Sequence, residues 1–394
     1  MDARTSRYLQ GRFGDHYRRT TIETPPAARS REWGYIPWSP RDETRMVRHR
    51  SLADFGEIET LVRRERPRHV YYSAGRYERP DAGRMDAKGW QGSDLIFDLD
   101  ADHLPGIDPR EATYAEMLSA CKAELTALLT FLEHDFAFED ITVVFSGSRG
   151  YHVHVRDPSV YKLDREARRE IVDYILGASI EVETIIEREA VVGTGRRTPV
   201  AQRRLQPGVG WSGRVHGELV ALTEEIRALD RTEAIARLQG FDGIGAQRAE
   251  RITDIMANNG AEIRSGNIDL HPAFLHLVAA VAARTVDRQS AAIDEPVTTD
   301  THRLIRLPGS LHGGSGLRVR EIPRPDVEAF EPLVDAIPET FRGQSIEIDV
   351  HEPIEVELGG TAKSLEAGNH RVPEYVGIFL MASGHALKAP ERAT

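Results

Sequence analysis

Asp98 and Asp100, two residues apart in SDLIFDLD (93–100), are the side chains of this sequence best spaced for chemistry. Leu95, Ile96, Phe97 and Leu99 give the segment the apolar, β-prone character of a buried strand. On a strand, residues i and i+2 share a face. Two carboxylates projected together repel unless a cation lies between them, and hard divalent ions such as Mg²⁺ or Mn²⁺ take oxygen ligands of this kind. The same residues also read as a strand end entering an acidic turn, because Ala101, Asp102 and His103 follow. The pair alone leaves both readings open.

Three further segments hold side chains that a metal site for nucleotidyl transfer would need. In SGSRGYH (146–152) a Ser–Gly–Ser turn offers amides and hydroxyls, Arg149 a cation, and His152 a ring on the next strand. With Ser146, these groups could cradle a triphosphate; they equally suit a hairpin turn with a solvated arginine and a packed histidine. Asp294, in AAIDEPVTTD (291–300), could be the third carboxylate that a two-ion site requires, or one acid among many on a loop. RLIRLPGSLHGGSG (303–316) clusters Arg306, Ser310 and His312 among bends made by Pro308 and the glycines. A fourth segment, LQGFDGIGAQRAERI (238–252), resembles a helix-hairpin-helix, in which the amides around Gly243 and Gly245, with Arg248 nearby, can face a DNA phosphate. A plain αα-corner using glycine for tight geometry reads as well.

The elements that must position these groups follow from periodicity. Residues 111–134 read as a helix with Met117, Leu118, Cys121, Leu125, Leu128, Leu129 and Leu132 on one face. ITVVF (141–145) and YHVHV (151–155) read as strands joined by the SGSRG turn. Residues 163–265 read as a mostly helical insertion, divided by a Gly-, Pro- and Arg-rich loop at 193–214. His271–Val286 is an apolar helix, short strands return around 304–322, the acidic, proline-spotted stretch 323–360 reads as peripheral, and 372–387 reads as a closing helix. The expected organisation is α+β: a core of residues 1–162 and 266–394, with a mixed or antiparallel sheet flanked by helices, interrupted by the insertion.

Composition narrows the setting. The chain has 394 residues, 40% hydrophobic and 29% charged, enough for a substantial core. It has no apolar run long enough for a bilayer span and begins too polar for a secretory signal, so a cytoplasmic location is expected. A single cysteine, Cys121, excludes an intramolecular disulfide and a multi-cysteine zinc knuckle. The net charge is −11, and only five of the 51 basic residues are lysine. That balance suits a salt-rich cytoplasm and argues mildly against a phosphate-coated surface, though bulk charge can hide a basic cleft.

The order of the motifs is more specific than any one of them. DxD, then SGxRGxH, then Asp followed by RLxRxPxSLHxxxG closely resembles the catalytic small subunit of archaeal and eukaryotic-type DNA primases. REWGY (31–35), YYS (71–73) and the VPEY…FL…GHAL ending extend the resemblance over essentially the whole chain. It implies metal-binding aspartates at Asp98, Asp100 and Asp294, holding two Mg²⁺ or Mn²⁺ ions. Triphosphate contacts fall at Ser146, Arg149, His152, Arg306 and His312, and more weakly Arg31. The implied activity is primer synthesis for DNA replication on single-stranded DNA, from NTPs and often dNTPs, alongside an iron–sulfur large subunit. Two departures stand out. Many relatives have a zinc knuckle after the DxD strand, where this chain offers only His103 and Cys121, so no zinc is expected. Ser148 stands where some relatives have a second basic residue. Two rivals remain: a repair- or plasmid-type primase-polymerase, and a non-catalytic DNA-binding scaffold acting through residues 238–252.

Overall fold

A computed structural model describes residues 1–39, 45–178, 180–191 and 200–391. The chain divides into two compact units, one of residues 1–125, 139–169 and 292–394, the other of 126–138 and 170–291.

The first unit holds the larger sheets. Strand His69–Tyr77 lies between Leu304–Arg306 and Arg31–Ile36, and Val47–Arg50 and Trp90–Ser93 extend this sheet. In a second sheet the order is Arg320–Ile322, Ile141–Phe145, Gly150–Val155 and Leu95–Asp100. All pairings among the described strands are antiparallel. Alternation explains the aspartate strand: Leu95, Phe97 and Leu99 are wholly buried on one face, whereas Asp98 and Asp100 share the other and stay partly exposed. The helix Tyr114–Thr130, continued by Phe131–Asp135, buries all seven apolar positions that its periodicity marks.

Residues 323–360 are not peripheral. Ser345–Val350 is the central strand of a third sheet, between Gly368–Pro373 and Ala386–Lys388, with Ile346, Ile348 and Val350 buried. The acids there alternate with these apolar residues, so average composition hid a strand. The closing helix is shorter than expected, Glu374–Ala382, because a strand takes over at Ala386.

The second unit packs the helices Gly210–Ala228, Arg231–Gln239, Ala246–Asn258 and Pro272–Gln289. It extends past the expected boundary at 265, because Pro272–Gln289 buries Phe274, Leu277, Val278 and Val281 within it. Part of the stretch expected as loop is a hairpin, Ile186–Val191 with Val200–Leu205. Residues 192–199 lie outside the described residues.

Candidate active site

The antiparallel register sets the first contacts. Asp98 lies opposite His152 and Asp100 opposite Gly150, so the aspartate strand and the SGSRGYH hairpin are one construction. Gly150 is obligatory: a Cβ there would come within 1.9 Å of the Leu99 carbonyl oxygen. Ser146 closes the turn, its amide donating to Gly150 O at 3.0 Å, while its hydroxyl lies 3.4 Å from the Ser148 amide. Cys121 buttresses the same turn from the helix beneath, with Sγ 3.1 Å from the Arg149 carbonyl. Burial first, then Asp100 and Asp98, push its thiol up to about 12, so it stays protonated.

Asp294 reaches the same place from a distant segment. Its amide donates to the Asp98 carbonyl at 3.0 Å, and it precedes the short helix Glu295–Thr299 without a side-chain cap bond. Burial, then Asp100 and Asp294, raise the Asp98 carboxyl to about 6, opposed by Arg306 and Arg303. The three acids are thus electrostatic neighbours. Among the described residues no three ligating side chains already form a closed metal-binding group. The oxygen-only donor set and its mutual repulsion nonetheless fit a hard divalent cation.

Arg306 arrives on the other sheet, opposite Tyr71, with its guanidinium 5.9 Å from that ring centre and its buried Nε unpartnered. Asp98, His152, Tyr71, Arg303 and Arg306 line one open cleft of about 380 Å³. His152 Nε2 lies 3.5 Å from Asp98 Oδ1. Burial, then Arg306 and Arg303, lower the His152 pKa to about 3. His312 is likewise lowered well below its usual value, by burial first and then by Arg306. Both rings are therefore neutral at pH 7 and offer hydrogen bonds rather than charge. His312 belongs to a tight loop, its Nδ1 3.3 Å from the Gly314 amide and its ring 4.8 Å from that of His69. Ser315 Oγ donates to the Gly147 carbonyl at 2.5 Å, tying this loop to the SGSRG turn. Arg149 pairs with Asp102 at the end of the aspartate strand.

The structure thus gathers Asp98, Asp100, Asp294, Ser146, Arg149, His152, Arg306 and His312 in one unit. Arg31 does not join them. It is wholly buried, bonding Asp94 Oδ2 at 2.7 Å and the carbonyls of Pro26, Ser73 and Ala74, because an arginine inside a sheet needs acceptors for every donor. The sequence reading missed Arg48, Arg303, His302 and Asp300 as cleft residues. Arg303 and His302 could have been found from their place at the RLIRLPGSLH block; Arg48, on an edge strand, gave no signal. The side chain of His103 lies outside the described residues.

Gly243, Gly245 and Arg248 belong to the second unit. There Arg231–Gln239 and Ala246–Asn258 are joined by a turn in which Gly243 has φ +75°, a conformation that favours glycine. Arg248 uses a donor on the Gly243 carbonyl, 2.6 Å away, and Ala249 and Ile252 are wholly buried.

Residues 97–323, which include Asp98, Asp100, His152, Asp294 and Arg306, match the family described as DNA primase small subunit. The chain is 53% identical over 392 residues to the DNA primase small subunit PriS of Haloarcula marismortui, covering 99% of this chain and 100% of that protein. It is 52% identical over 394 residues to the same-named protein of Natronomonas pharaonis, covering 99% and 100%. With that of Methanothrix thermoacetophila it shares 40% identity over 402 residues, covering 98% and 99%.

Proposed function

The chain belongs to the DNA primase small-subunit family, nucleotidyltransferases that make RNA primers, and from that premise we propose how its cleft works and with what partners. The observation that carries the reading is the meeting of Asp98, Asp100 and Asp294 beside Arg306, where the Asp98 carboxyl is pushed up to about 6. Asp98, Asp100 and Asp294 would hold two divalent ions, Mg²⁺ or Mn²⁺, which when bound lower the pKa of the attacking hydroxyl and steady the leaving pyrophosphate.

The chain's own residues bind and orient the nucleotide. Arg306 and Arg149 supply fixed positive charge for the β- and γ-phosphates. To do so, Arg149 exchanges its pairing with Asp102 for phosphate. His152 and His312, held neutral, each donate a hydrogen bond without adding charge. Amides and hydroxyls of the 146–150 turn complete the cradle. No protein nucleophile takes part. With Cys121 protonated against a carbonyl, the chain has no thiolate for a zinc site, and zinc is not expected.

The partners of this reading are a single-stranded DNA template, NTPs and dNTPs, and a primase large subunit carrying an iron–sulfur cluster; the setting is the cytoplasm. Among the described residues no helix is long and apolar enough to cross a membrane. The test is template-dependent synthesis with Mg²⁺ or Mn²⁺, with NTPs or dNTPs, with and without the large subunit. Metal-dependent primer synthesis is expected. No incorporation under any of these conditions would favour a DNA-binding scaffold, while activity indifferent to a large subunit would favour a repair- or plasmid-type primase-polymerase.

A further inference from the structure

Tyr71 and Tyr72 are consecutive on one strand, so their side chains leave opposite faces. Tyr71 lines the aspartate cleft, whereas Tyr72 lines a different cavity of about 690 Å³, walled by Thr21, Thr24, Arg156, Pro308, Arg318 and Arg320. Nothing in the proposed chemistry uses this second cavity.

Three observations point to an anion there. Tyr72 is wholly buried, and its hydroxyl lies beside the Arg156 guanidinium without a well-formed hydrogen bond. Buried hydroxyls without partners are unfavourable, so such a group facing a cavity is suited to a ligand. Arg318 is half-buried with its Nε enclosed and unpartnered. Burial and neighbouring Arg320 both disfavour its charge, with only weak relief from Glu23. Arg156, lastly, shares a single carboxylate: Asp94 faces Arg31 at 2.7 Å, Arg76 at 3.2 Å and Arg156 at 3.3 Å, and Asp140 adds a lesser pull on Arg156. Three guanidinium groups on one carboxylate leave positive charge behind this wall.

The acids decide the shape of the ligand. Glu23 and Glu321, in the same wall, are exposed, whereas Arg156, Arg318 and Arg320 are half-buried. A nucleic-acid strand crossing the exposed surface would meet those carboxylates, whereas a short anion reaching the half-buried arginines would pass them. We propose that this cavity binds a compact run of phosphates, from a nucleoside triphosphate or free pyrophosphate, through Arg318, Arg156 and the Tyr72 hydroxyl. The site is independent of the metal chemistry assigned to the cleft.

Calorimetric titration of the full chain in chelator with inorganic tripolyphosphate, pyrophosphate and ATP, paired with amide hydrogen exchange, tests it. Expected are protection of the amides of Gly309, Ser310 and residues 318–320 by tripolyphosphate, at least about ten-fold weaker binding in Arg318→Ala, and a few-fold loss in Tyr72→Phe. Arg318→Lys, which keeps the charge, should bind at an intermediate level and serves should Arg318→Ala fold poorly. ATP binding tighter than tripolyphosphate identifies a nucleotide as the source, and equal or weaker binding identifies free polyphosphate. Unchanged affinity in both Arg318→Lys and Tyr72→Phe, with binding lost in Arg149→Ala, would place every phosphate in the cleft and overturn the proposal. So would an oligodeoxynucleotide protecting these amides at lower concentration than tripolyphosphate.

Discussion

Asp94 and Asp98 lie four residues apart on one run of chain and meet opposite surroundings. Asp94 is wholly buried against Arg31, Arg76 and Arg156, and Arg168 donates to the carbonyls of Ser93 and Asp94 at 3.0 Å each. Asp98 meets Asp100 and Asp294 instead, with arginines near enough to temper the repulsion without removing it. A buried charge supplied with partners fixes structure, and removing one partner leaves the rest stranded. A charge left facing like charges is unfavourable until a cation arrives, and that is the mark of a binding site. Within one strand and its approach, the Asp94 end anchors and the Asp98 end awaits a ligand.

The contrast breaks most sharply at the acids themselves. Asp98→Ala or Asp100→Ala should reduce nucleotide incorporation at least about a hundred-fold without unfolding the protein, and Asp294→Asn should come close behind. Primer extension alongside thermal denaturation checks this; near wild-type extension by Asp98→Ala would remove these aspartates from the metal site. Asp94→Ala should act the other way, lowering stability by about 3–5 kcal/mol because its arginines lose their common carboxylate. Equal losses of activity per folded molecule in Asp94→Ala and Asp98→Ala would erase the distinction between the two ends.

A smaller effect separates charge from geometry in the phosphate cradle. Arg149→Ala should raise the nucleotide KM roughly ten- to a hundred-fold, as expected for a charge-assisted contact, while affinity for single-stranded DNA holds. His312→Ala should also raise KM, and because its ring is neutral and wedged against His69, it should lower the melting temperature as well. DNA affinity falling in step with nucleotide affinity would move both residues to the template path.

The smallest effect is a pH signature. A carboxyl raised from 3.8 to about 6 binds its proton more tightly in the folded state, so its stability contribution is greatest at low pH and is lost as pH rises through 6. By linkage the shift corresponds to roughly 3 kcal/mol. His152 works in the opposite direction, since its lowered pKa contributes stability above 6.5 that is lost as pH falls towards about 3. The Asp98 signal therefore appears as a difference. Asp98→Asn should melt a few degrees above wild type at pH 8 in chelator, with the gap closing below about pH 5. A gap unchanged between pH 5 and pH 8 would mean that neither burial nor the acidic neighbours raise the Asp98 carboxyl.

How much was legible differs by element. The aspartate strand, the hairpin after Phe145 and the helix from Tyr114 follow from local alternation, and each lies where its pattern says. Asp294 was recognisable only through the order of motifs around it, since nothing in AAIDEPVTTD announces an amide bonded to Asp98. Arg31 misled because a motif position carries no information about burial. The 323–360 stretch misled because acids alternating with Ile346, Ile348 and Val350 dilute the hydrophobic average of a central strand.

By itself the sequence determined the side-chain chemistry, the strand and helix periods, and a motif order specific enough to indicate the family. Those properties are set by residue type and by spacing along the chain, which folding does not alter. Only the tertiary structure decided which charges are compensated. It neutralised His152 and His312, fixed Arg31 on Asp94, raised Asp98 by burial and by setting it beside Asp100 and Asp294, the latter almost two hundred positions away, and placed Arg318 and Tyr72 in the wall of a cavity. Protonation and pairing depend on burial and on distances through space, and neither is written in the spacing of residues along the chain.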